Sequence, residues 1–132
     1  MNTNMNTNTN TNNQDWRTNC AADMLRRNGY LIVDSQSRPT PKSVELDLVV
    51  WREADDTMVC VAVGGSAGLT RYSPDLTDKI YKRRERRLMT SFRRWVEINK
   101  WHGECEMARC EVYGTPEAGR PVIDLIAKVA KV

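Results

Sequence analysis

Between residues 79 and 94 the chain carries Lys79, Lys82, Arg83, Arg84, Arg86, Arg87, Arg93 and Arg94 against a single acid, Glu85. The net charge of the whole chain is only +3, so this positive potential is local. Neutralising phosphates is the chemistry that such a cluster does best. Each contact releases condensed counterions, so several arginines on one face can hold DNA or RNA without reading its sequence. The bland alternative is a solvated helix face whose arginine stems cover apolar surface. Eight cations against one anion exceed what solvation requires, so these eight residues are the candidate nucleic-acid contacts, with DNA or RNA as the partner.

Other residues capable of chemistry are sparser. His102, Cys105 and Cys110 are three soft donors, but they lack the paired short loops of a zinc knuckle. They read as a loop histidine and small buried thiols, and no metal or other cofactor is assigned to them. The cysteines Cys20, Cys60, Cys105 and Cys110 form no CxxC pair and are expected to be reduced. The glycine-containing stretch 64–68 lacks the GK[ST] ending of a phosphate-binding loop and reads as a flexible loop. His102 stands beside Trp101 in a loop, with no serine or cysteine partner to make it a general base. No small-molecule substrate is expected.

The elements that position these residues follow from periodicity. Residues 1–14 are almost wholly Asn and Thr, with no apolar surface to offset the entropy of ordering, and read as a disordered tail before a single domain over 15–132. Asp15 can cap a helix running to Asn28 and ended by Gly29. Tyr30 to Val33 reads as a short strand and 34–42 as a loop with Pro39 and Pro41. From Ser43 to Trp51 the pattern alternates, with Glu45 and Asp47 on a half-exposed face. Thr57 to Val63 is a nearly continuous apolar run, so the two strands form a hairpin. Ser73 and Pro74 open a long helix to Asn99, with Tyr81, Leu88, Phe92, Trp95 and Val96 as its sheet-facing stripe. Cys105 to Tyr113 and Pro121 to Ala127 are the last strands. The order α-β-β-β-α-β-β predicts an α/β fold, a mixed sheet of about five strands flanked by helices. The chain shows no signal-peptide pattern and no apolar stretch of about 18 residues, so the expected location is cytoplasmic, with no membrane partner.

Ala21 with Leu25, then Arg26, Arg27, Gly29 and Tyr30, then Glu45-Leu46-Asp47-Leu48-Val49, and later Val61-Ala62-Val63, resemble the YraN family over roughly residues 16–128. That family has a helix ending in a basic Gly-Tyr turn, a Gly-Glu-Ile-Asp-Leu strand and a strand carrying Glu-Val-Lys. The resemblance implies a restriction-endonuclease-like core in which carboxylates and a lysine gather a divalent cation and an attacking water. Transferred residue by residue, the strand carboxylates fall on Asp47 and Glu45, a catalytic remnant. The Glu-Val-Lys positions are Ala62, Val63 and Gly64, the following Thr and Arg are Gly65 and Ser66, and the acid of the first helix is Thr18.

Three readings follow. The first is a catalytically inactive nuclease fold that binds nucleic acid through the basic helix. The second is an active endonuclease using Mg²⁺ or Mn²⁺, in which Lys79 or Lys82 and Glu85 or Asp75 replace the lost groups. The third is a protein-interaction module whose basic helix meets an acidic partner.

Overall fold

The computed structural model describes residues 9–66 and 74–132, with side chains at 14–66, 82–125, 130 and 132. Among these residues the order is α1 (Thr9–Arg27), β1 (Tyr30–Ser37), β2 (Leu46–Arg52), β3 (Thr57–Ser66), α2 (Pro74–Ile98), β4 (Glu104–Tyr113) and β5 (Val122–Lys131). The expected α/β order is the one observed. β1, β2 and β3 are an antiparallel meander, β4 joins β3 in parallel, and β5 returns antiparallel beside β4. The parallel step requires a crossover, which α2 supplies.

Period-two alternation divides the central strands between two cores. Leu48, Val50, Val59, Val61, Val63, Ala108, Cys110 and Val112 pack with Ala21, Ala22 and Leu25 of α1. Val49, Met58, Cys60, Ala62 and Met107 pack with Leu88, Phe92 and Trp95 of α2. The sheet is therefore covered on both faces. Leu46 joins the α2-side core although Leu48 and Val50 face α1, so strict alternation fails at the start of β2. Asp47, expected on a half-exposed face, is buried at 7% exposure because α2 lies over that side.

Several boundaries differ from expectation. α1 begins at Thr9, so residues 9–14 of the expected tail are helical and Asp15 does not cap the helix. Propagating a helix already docked on the sheet costs far less than nucleating one, which lets Asn and Thr join it. Asp15 instead accepts a hydrogen bond from Gln36 Nε2 at 2.7 Å. The tail residues 1–8 and the Ser73 cap lie outside the described residues, as do 67 and 68. Gly29 ends α1 with φ +87°, as its position predicts.

β1 runs on to Ser37 through what reads as loop, because a bulge at Val33 shifts its register between Ile32 and Asp34 and keeps it paired with β2. After the bulge Asp34 Oδ2 accepts the Trp95 indole N–H at 2.9 Å, which ties the edge strand to α2. β3 extends through Gly64 to Ser66 rather than looping out, paired in parallel with Glu111, Val112 and Tyr113. Gly65, at φ +134°, permits this, since a Cβ there would collide with the Val112 carbonyl oxygen. β5 continues past Ala127 to Lys131, across a register shift opposite Met107 and Arg109.

Candidate functional site

β2 stays paired with β1 down to Leu46, but its pairing with β3 ends at Leu48 and Val61. Beyond that point side chains take over the ladder. The Val63 N–H donates to Asp47 Oδ2 at 2.8 Å, and the Val63 carbonyl accepts from Arg84 Nη1 at 3.2 Å and Gln14 Nε2 at 3.4 Å. Arg84 Nη2 also lies 2.7 Å from Asp47 Oδ2. One arginine from α2 thus bridges a carboxylate of β2 and a carbonyl of β3. Ala62 and Gly64 lack long side chains, and alternation places both on this same face, which leaves room for the guanidinium.

The electrostatics of Asp47 are a contest. Burial pushes its carboxyl above the usual aspartate range, while the Arg84 charge and the Arg84 and Val63 hydrogen bonds pull against it, and burial prevails. On the opposite side of Ala62 and Gly64, the register of β4 brings up Arg109 and Glu111. Arg109 pairs with Glu85 of α2 at 3.4 Å, and the Tyr113 hydroxyl donates to Glu111 at 3.3 Å. Glu111 is buried at 6% exposure. Sequence reading passes over this polar row; alternation within Arg109-Cys110-Glu111-Val112-Tyr113 was its signal.

Among the described residues, the carboxylates that the YraN resemblance assigns to a divalent-cation site are not brought together. Glu45 precedes β2 and is exposed, so it does not join Asp47. Thr18, at the position of the first-helix acid, lines a recess with Leu48 on the α1 side, whereas Asp47 meets α2. The carboxylate oxygen of Asp47 that faces the gap between the strands is held by a fixed cation and an amide. Glu85, one possible replacement acid, is paired with Arg109, and Lys82 is exposed. The side chains of Lys79, Tyr81 and Asp75 lie outside the described residues. Among the described residues no three His, Cys, Asp or Glu side chains gather. His102 is exposed, Cys105 packs on the α2 side and Cys110 on the α1 side, so the sheet itself separates the two thiols.

The outer surface of α2 is organised differently. Lys82, Arg83, Arg86, Arg87, Arg93 and Arg94 are all exposed. They form two adjacent rows, Lys82, Arg86 and Arg93 beside Arg83, Arg87 and Arg94, each spaced four and then seven apart, the repeat that returns to one side of a helix. From Lys82 to Arg94 the rows run about 18 Å along the axis. Arg94 lies 3.4 Å from Glu97. Among the described residues no carboxylate comes within ion-pair distance of Lys82, Arg83, Arg86, Arg87 or Arg93. Arg84 departs from the set of expected nucleic-acid contacts, because its helical phase turns it inward onto Asp47.

Comparison with protein-family models and with curated proteins returns no match. Among the described residues no helix is long and apolar enough to cross a membrane.

Proposed function

We propose that this chain is a nucleic-acid-binding protein of restriction-endonuclease-like fold, of the YraN type, that does not cleave its ligand. The observation that carries the binding reading is the outer face of α2, with six exposed cations in two rows, five of them without an acidic partner among the described residues. A solvated helix face ordinarily intersperses both signs of charge at i,i+4, and this face does not. Such a surface suits phosphate backbones, with affinity that falls steeply with salt and little dependence on sequence. The fold assignment draws support from the antiparallel meander followed by a helical crossover to a parallel strand. The absence of cleavage draws support from Ala62 and Gly64 standing where the family has its acid and lysine, with Arg84 set against the remaining carboxylate.

The test is fluorescence anisotropy with labelled single-stranded and duplex DNA and RNA over a range of salt, alongside incubation of plasmid and branched DNA with Mg²⁺ or Mn²⁺. Dissociation constants on the order of 10⁻⁴–10⁻⁶ M at physiological salt are expected, without cleavage. Replacing Lys82, Arg86 and Arg93 together with alanine should flatten the duplex salt slope by about 2.7, at about 0.9 for each phosphate no longer neutralised. Affinity and slope unchanged by that triple replacement would refute the binding surface. Cleavage abolished by Asp47→Ala would refute the inactive site.

A further inference from the structure

The cationic surface does not stop at the helix. Residues 38–45 link β1 to β2, and this loop meets the side of α2 at a cleft of about 470 Å³ lined by Thr40, Lys42, Ser43, Val44, Arg87, Thr90 and Ser91. The cleft is open-sided, and its volume leaves space for a phosphate group to enter from solvent. Two positive groups are among its lining, Lys42 from the loop and Arg87 from the second arginine row, and both are exposed. Neither has an acidic partner among the described residues. Glu45 is nearby in the chain but does not line the cleft.

The loop is held in shape before any ligand arrives. Arg38 Nη1 donates to the Ser43 carbonyl at 2.7 Å, and the Ser43 N–H donates to the Thr40 carbonyl at 3.0 Å. Ser91 Oγ donates to the Val44 carbonyl at 2.6 Å, which pins the loop to α2. Thr40 and Ser43 share a hydroxyl hydrogen bond of 2.7 Å. In such a pair one hydroxyl donates to the other, and the second keeps its hydrogen for a ligand. The cleft thus offers two cations and a directional donor on a loop whose backbone is already held, so the ordering cost on binding falls on the Lys42 and Arg87 side chains alone.

We propose that this cleft seats one backbone phosphate of the bound nucleic acid, with Lys42 and Arg87 sharing its charge and the Thr40–Ser43 pair orienting it. The proposal rests on the nucleic-acid reading of α2 and adds to it a fixed point of contact outside the helix. Because two cations serve one phosphate, their effects should not add. Lys42→Ala and Arg87→Ala are each expected to weaken oligonucleotide binding about five- to eightfold at about 0.1 M salt, the share of one phosphate contact in single or double strands. The double replacement should cost little more than either alone, whereas Lys42→Ala combined with Arg93→Ala, on the other row, should show the product of the separate losses.

Anisotropy on the intact protein, with urea unfolding as a control for folding, reads all of these. Wild-type protein that binds no oligonucleotide would overturn both this proposal and the function it rests on. Binding that survives Lys42→Ala with unchanged affinity, or losses at 42 and 87 that multiply, would overturn the shared phosphate seat alone and leave the α2 surface standing.

Discussion

Replacing Arg84 with methionine keeps most of its stem and removes the charge, and the consequence follows from the gap between β2 and β3. At 2.7 Å, in an effective dielectric of about 20, the pair with Asp47 has a gross attraction of about 6 kcal/mol. The Arg84 side chain is 35% exposed against 9% for Asp47, so water and salt screen much of that. Breaking a fully buried pair costs about 3–5 kcal/mol, and the screened pair here should cost about 2 kcal/mol at neutral pH. With a urea m-value of about 2 kcal/mol per molar, the midpoint should fall by about 1 M.

The pH dependence gives the sharper test. Burial already holds the Asp47 carboxyl above its ordinary value, and removing Arg84 takes away the main force opposing burial. A folded pKa raised above the unfolded one means that the protonated form is the favoured one in the fold. Its contribution is fully present below the unfolded pKa and is lost as pH rises through the folded pKa. Arg84→Met should therefore lose in acid little beyond its hydrogen bond to the Val63 carbonyl, and fall further behind wild type as pH rises through the elevated Asp47 value. Adding Asp47→Asn, which removes the buried charge while its amide oxygen can still accept from Val63, should restore much of the loss at neutral pH. Urea unfolding followed by circular dichroism at about pH 4 and about pH 7.5 reads both effects. A deficit independent of pH, or a double variant no better than the single one, would place the role of Arg84 in packing and refute the electrostatic account.

Two further outcomes follow from the sheet. Gly65→Ala forces a side chain into the Val112 carbonyl at φ +134° and should break the β3–β4 ladder locally, at a cost of about 2 kcal/mol or more, read as a lowered urea midpoint. Burial pushes the Cys110 thiol up to about 12 and that of Cys60 higher still, so in a thiol-reagent assay at mildly alkaline pH these two should react only on unfolding. Cys20 and Cys105, partly exposed, should react in the folded protein, and four equally fast thiols would refute the burial assignment.

What sequence reasoning recovers, and what it misses, has a common physical cause. The stripe through Leu88, Phe92 and Trp95 is readable because apolar residues at helical spacing mark a buried face, and all three are buried. Arg84 is not, since a run of like charges conceals which member shares the helical phase of the stripe. Yet 84, 88, 91 and 95 recur at that same spacing, and this is the available signal. The burial of Asp47 depends on a helix whose contacting residue, Arg84, is 37 residues away in the chain, which strand alternation cannot show. β1 reads as ending at Val33 because its bulge interrupts the two-residue period, and the partners of the polar stretch that follows sit in β2. The Lys42–Arg87 cleft needs loop and helix brought together, so nothing local announces it.

The bulge at Val33 has a consequence for how copies of the chain meet one another. β1 is an outer strand of the sheet, and among the described residues no strand pairs with its outer side, whose backbone donors and acceptors an extended chain could join. Leu31 and Val33 are exposed there at 59% and 42%, enough to make the edge adhesive. The regular run before the register shift is only Tyr30 to Ile32, shorter than the five or so residues of an ordinary strand. A second copy would find side chains to touch but no straight ladder to extend. A bulge of this kind is a device that disfavours the growth of edge-to-edge encounters into an ordered, continuous sheet.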